Sequence, residues 1–126
     1  MKTTVFALSI LTIILAAGIW FHTFLTNTCS RYDTALNVCL AQAKSNHWND
    51  AIQTLKELKL NWKSKRPFFA TLTHHTLLDQ VQTALIRTEA AAMQHDGAEF
   101  ALEHSSLKEA IAALKESDST NVANIF

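Results

Sequence analysis

Proline occurs once and glycine twice in the 126-residue chain. A sheet of many short strands needs frequent sharp turns, so this scarcity argues against one. The abundance of Ala, Leu, Lys, Gln and Glu favours helices instead. Formal net charge is zero, which removes the general attraction to nucleic acid that a basic binder would show. No Gly-rich loop is available for a phosphate, no serine sits in a nucleophile elbow, and no HExxH-type spacing offers zinc ligands. The expectation is a protein that is not an enzyme and carries no cofactor or metal.

The first thing present in quantity is apolar sequence. No charged residue occurs between Lys2 and Arg31, and Thr3 to Leu25 reads TTVFALSILTIILAAGIWFHTFL. That length matches the roughly 20 residues that cross a hydrocarbon core of about 30 Å. Trp20 and Phe21 lie near one end, where amphipathic aromatics favour the headgroup zone, and His22 reaches the same interface. Ala16-Ala17-Gly18 would suit a signal peptidase, but the apolar run continues to Leu25, beyond the roughly 7–15 residues of an ordinary signal-peptide core. Residues 1–27 are therefore read as an uncleaved signal anchor inserted through residues 3–25. Lys2 flanks the near side, which predicts a cytoplasmic amino terminus in a cell membrane and a single pass. Residues 28–126 would form an extracytoplasmic helical domain.

Asn27 to Ser30 reads as a polar break after the anchor. Tyr32, Leu36, Cys39 (or Leu40) and Ala43 then recur at helical spacing within about 31–44. In the stretch HWNDAIQTLKELKLNW, Trp48, Ile52, Leu55, Leu58 and Trp62 fall on one stripe, and Lys56, Lys59 and Lys63 on another face. Both tryptophans therefore read as packing residues, too far apart to stack on one ligand. Ser64 to Pro67 should end that helix, because the residue before proline is pushed out of helical geometry. A third helix is expected over 68–94, with Phe68, Leu72, His75, Leu78, Val81, Leu85, Thr88 and Ala92 on its stripe. His95-Asp96-Gly97 reads as a turn. A fourth helix over 98–115 carries Phe100, His104, Leu107, Ile111 and Leu114. Ser117 to Thr120 reads as a break, and the apolar ending NVANIF is expected to dock on the bundle. Short loops make neighbours antiparallel. The expected fold is all-α: an N-terminal transmembrane helix followed by a small up-down helical bundle of three or four helices. A faint echo between His47–Ile52 and Asp96–Leu102 reads as shared hairpin packing.

Few groups invite chemistry. Cys29 and Cys39 match no metal spacing, and on one helix they would lie about 15 Å apart along the axis. Cys29 could link two chains into a homo-oligomer, and Cys39 reads as a buried small hydrophobe. His75 and Asp79, one turn apart, can pair, and His104 could approach His75 across the bundle. Charge is unevenly spread. Lys44 to Arg66 holds six positive and two negative residues, net +4, and Thr88 to Asp118 holds two and seven, net −5. Either a basic second helix neighbours an acidic fourth one, or the basic face touches anionic lipid or a wall polymer.

The order of an amino-terminal anchor, HWNDAIQTLKELKLNW, PFF, HTLLD, ALIR and a terminal NIF resembles domain-of-unknown-function family 4363. The resemblance spans nearly the whole chain and implies a largely helical envelope protein of Gram-positive bacteria with no assigned activity. Where relatives of this kind carry an acidic residue two after the histidine, this chain has Leu77. The functional expectation is a protein-interaction or scaffolding module of the cell envelope with a protein partner. The alternative is a small ligand-binding or sensor module with its site in the bundle core, near Trp48, Trp62 and His75.

Overall fold

The computed structural model describes residues 1–71 and 73–125, with side chains as far as Ser117. Four helices follow one another: α1 (Lys2–Lys44), α2 (Trp48–Ala70), α3 (His75–Met93) and α4 (Gly97–Ile125). There is no strand among the described residues. Links as short as 45–47, 71–74 and 94–96 force each helix to run antiparallel to the one before it. Each helix packs on its neighbours in sequence, and α4 closes the ring against α1. The expected all-α architecture is the one observed.

The expected break at Asn27–Ser30 is absent, and α1 runs unbroken for 43 residues. Polar side chains alone do not stop a helix, and here Thr28 and Cys29 are buried on its inward face. Residues 1–20 are exposed throughout, and burial starts at Phe21. The exposed part makes α1 the one described helix long and apolar enough to cross a membrane. At about 1.5 Å per residue, 20 residues span roughly 30 Å. The last residues of the expected 3–25 insertion, Phe21 to Leu25, thus belong to the bundle wall.

The two hairpins α1–α2 and α3–α4 share one register. Adding 49 to nine buried positions of the first gives a buried position of the second: Cys29 gives Leu78, Tyr32 Val81, Leu36 Leu85, Cys39 Thr88, Ala43 Ala92, Ala51 Phe100, Leu55 His104, Leu58 Leu107 and Trp62 Ile111. Their turns obey the same offset. Asn46 (φ 61°) and His95 (φ 53°) take the left-handed conformation. Asn46 N–H donates to the Ala43 carbonyl at 3.0 Å and His47 N–H to Gln42 at 2.8 Å, while His95 N–H donates to Ala92 at 3.0 Å and Asp96 N–H to Ala91 at 3.1 Å. Each pair of bonds is a Schellman closure that satisfies the last carbonyls of its helix. His95, not Gly97, takes the strained position. Asp96 then caps α4, its Oδ1 accepting from Glu99 N–H at 3.1 Å.

Three helix ends differ from expectation. α2 continues through Pro67 to Ala70, so Phe68 belongs to α2 and α3 begins only at His75. Proline in a helix forfeits a backbone bond, but the extension seats Phe69, fully buried, against α1. Its aromatic burial, worth about 1.5–3 kcal/mol, offsets much of that loss. α4 passes through Ser117–Thr120 and ends at Ile125. Leu72 and the side chains of the NVANIF ending, with Phe126 itself, lie outside the described residues.

Candidate interaction surfaces

Both tryptophans are packing residues. Trp62, 2% exposed, sits edge-on to Tyr32 at 6.3 Å and tilted on Phe69 at 6.0 Å. Tyr32 Oη donates to Asn61 Oδ1 at 2.7 Å, and burial, reinforced by nearby Cys29, pushes its hydroxyl pKa well up. Trp48, half-buried, stacks on His95 and meets Phe100 edge-on, each at 5.5 Å. Fourteen residues apart on α2, the two indoles stand about 21 Å from each other along the axis. His75 is exposed in the first turn of α3 rather than on its buried stripe. Trp48, Trp62 and His75 therefore do not share one cavity.

The expected histidine pairs are replaced by others. Asp79 Oδ1 lies 2.6 Å from Arg66 Nη2, which draws it toward the end of α2 and away from His75. His104 Nε2 reaches the Leu36 carbonyl across the α1–α4 contact at 2.7 Å. A carbonyl only accepts, so this nitrogen carries the proton. Burial pulls the His104 pKa below the ordinary value of 6.5, partly countered by the Leu36 carbonyl. Cys39 Sγ donates to the Ala51 carbonyl at 3.5 Å, and burial pushes its thiol up to about 12. Cys29 and Cys39 are both buried and not joined by a disulfide, so a chain-to-chain link through Cys29 would first require α1 to lift from the bundle.

The lysines divide. Lys56 and Lys63 are exposed, whereas Lys59 Nζ stands 2.9 Å from Oε2 of buried Glu89 on α3. The expectation that a basic second helix neighbours an acidic fourth one fails: α2 packs on α1 and α3 and stands diagonally from α4. Lys108, at the same 49-residue offset from Lys59, reaches from α4 to α1, with Nζ 2.6 Å from Asn37 Oδ1 and 3.5 Å from Asp33 Oδ1. Each hairpin thus reaches the first helix of the other by one lysine. Glu89 was missed in sequence, although it lies four residues after Leu85 and three before Ala92, on the stripe.

Two features of the outer surface remain. An open groove of about 630 Å³ runs between α3 and α4. Ala84, Ala110 and Ala113 contribute its small apolar lining, and Gln80, Thr83, Arg87, Glu103, Ser106 and Glu109 its polar one. Where the exposed run of α1 meets the bundle, Trp20 and Phe68 project together: Trp20 is 58% and Phe68 43% exposed. Their rings meet edge-on at 5.6 Å, and Phe24 stacks on Trp20 at 5.5 Å. Lys65 Nζ lies 5.2 Å from the Phe24 ring centre. Among the described residues no three His, Cys, Asp or Glu side chains are grouped to hold a metal ion.

Residues 19–125 match the model of a family described as Domain of unknown function (DUF4363). The match begins where the exposed apolar run of α1 gives way to the bundle, and the chain belongs to that family. No curated protein and no solved structure matches it.

Proposed function

We propose that this member of the DUF4363 family is a membrane-anchored interaction module, with α1 crossing the cell membrane once and the bundle held on the extracytoplasmic side. The groove between α3 and α4 carries this reading. Small residues let a partner backbone approach closely, and the flanking Arg87, Glu103 and Glu109 supply charges that select its orientation. A helical segment of another envelope protein fits such a groove. The unbroken α1 supports a fixed stance, because a helix without a hinge passes the orientation of its span directly to the bundle. The core-site alternative has less support, since its residues are dispersed and Trp62 is filled in on all sides.

Photocrosslinking in native membranes tests the proposal. A photoreactive amino acid at Thr83 or Ser106, both exposed in the groove, is expected to capture a protein neighbour, whereas one at Gln53 on the outer face of α2 is not. Equal labelling at all three sites, or none at the groove positions, would overturn it. Orientation is read separately by accessibility of the bundle to protease added outside the cell.

A further inference from the structure

Resting on the reading of α1 as a membrane span, we propose that the C-terminal end of α2 at Thr71 and the Trp20–Phe68 pair form a second contact with the bilayer, seating the bundle on the lipid surface instead of holding it clear on a stalk. Three observations converge at one level of the molecule. First, the register of α1 against α2 places Phe68 beside Trp20 and Phe24, at the top of the exposed apolar run. Because α2 runs antiparallel to α1, the residues that finish α2 after Phe68 lie lower: Thr71 is three residues on, about 4.5 Å nearer the bilayer. Thr71 is thus level with the last exposed turn of α1.

Second, large apolar side chains are left open at this end. Trp20 and Phe68 are exposed while touching each other. An aromatic pair that remains wet in water is well placed at the headgroup boundary, where indole and phenyl rings partition. The extension of α2 through Pro67 is what delivers Phe68 to that level.

Third, basic side chains stand just above the aromatic pair, and the carboxylate of Asp79 at the same end is paired to Arg66. Lys63 and Lys65 lie one to two turns above Phe68 on α2, and Lys65 holds its ammonium over the Phe24 ring, 5.2 Å from its centre. A lysine so placed keeps its ammonium beside the interfacial aromatics, within reach of lipid phosphates. The opposite end of the bundle, at links 45–47 and 94–96, carries Lys44 together with Asp50, Asp96 and Glu99, and its aromatic pair, Trp48 and Phe100, is turned inward, half-buried and buried. The partner indicated is therefore an anionic phospholipid surface, met by about 1 kcal/mol per interfacial lysine.

The full chain, reconstituted in vesicles of zwitterionic phospholipid with or without a third of phosphatidylglycerol, provides the test. An environment-sensitive fluorescent amino acid replaces Thr12, Thr71 or Ser45 in turn, and quenchers are attached to the lipid at shallow and deep positions. The expected result is deep quenching at position 12, shallow quenching with blue-shifted emission at 71, and water-like emission at 45. Phe68→Ser should return position 71 to water-like emission with the helical circular dichroism retained. Lys65→Gln should weaken the extra shallow quenching given by phosphatidylglycerol. Deep quenching at 12 with water-like emission at 71 would sink this proposal and leave the span intact. Water-like emission at 12 would sink the span itself. If Phe68→Ser keeps its fold and leaves position 71 quenched, the aromatic pair is not the contact.

Discussion

The first hairpin and the second are built to one plan and used differently. Nine buried positions are matched across the 49-residue offset, and so are both left-handed turns and both bridging lysines. What differs is what each hairpin adds to the plan. The first extends α1 by an exposed apolar run and α2 by Pro67-Phe68-Phe69 at the same end. The second replaces Leu55 by His104 and Leu40 by Glu89, placing polar groups where its counterpart is aliphatic. The comparison teaches that the core register tolerates polar exceptions so long as each finds a partner, and that the ends of the helices, free of the register, are where the hairpins acquire separate roles.

The largest expected effect tests whether the two hairpins are equivalent walls. Leu36→Ala and Leu85→Ala occupy matched positions, both fully buried, and each should cost about 2–5 kcal/mol, measured by denaturant unfolding of the detergent-solubilised chain. A loss at one position without a comparable loss at the other would break the correspondence. Next is the buried carboxylate that the first hairpin lacks. Lys59→Met strands Glu89 beside no cation; since the lysine side chain is 44% exposed, water moderates the loss to about 1–2 kcal/mol. The double change Lys59→Met with Glu89→Leu, which restores the aliphatic pattern of the first hairpin, should recover most of it.

His104 gives the third difference a pH signature. Its folded pKa is lowered chiefly by burial, with Lys108 and Lys44 adding to the lowering and the Leu36 carbonyl and Asp33 opposing it. The unfolded chain therefore takes up the proton first as pH falls. The contribution of neutral His104 is fully present above its ordinary value of 6.5 and is lost as pH falls from there toward the folded pKa. Thermal unfolding scanned from pH 7.5 to about 5 should show a decline that His104→Leu, the counterpart of Leu55, removes. An unchanged slope in that variant would assign the decline to other groups. The smallest effect concerns the surface. Asp79→Asn breaks the Arg66 pair, whose acid side chain is 65% exposed, and should change stability by less than about 1 kcal/mol. A larger change would mean that this pair pins the α2–α3 turn more firmly than its exposure implies.

Much of this molecule was legible before its fold was known, because helical periodicity acts through local geometry. Tyr32, Leu36, Cys39, Leu55, Trp62, Leu78, Leu85, Phe100, His104 and Leu114 were read as inward-facing from their spacing alone, and all are buried. Boundaries were less legible. Asn27–Ser30, Pro67 and Ser117–Thr120 each looked like stops, and the helix passes through all three. Polar or proline residues set a local preference of a few kcal/mol at most, and continued packing overrides it. Ionic partners were the least legible. The His75–Asp79 pair was plausible on one helix, but Arg66 arrives from another element and captures the carboxylate.

By itself, the amino-acid order determined that the chain is helical, that its first helix carries a membrane-length apolar run, and which stripe of each helix turns inward. These follow from propensity, length and period, quantities that a segment possesses before it meets another. The tertiary structure alone decided that α2 stands diagonally from α4, that Trp48 and Trp62 occupy opposite halves of the bundle, and that Phe68 comes to rest beside Trp20. Those outcomes depend on which helices become neighbours and at what axial offset, and that choice is made only when all four apolar stripes are buried together.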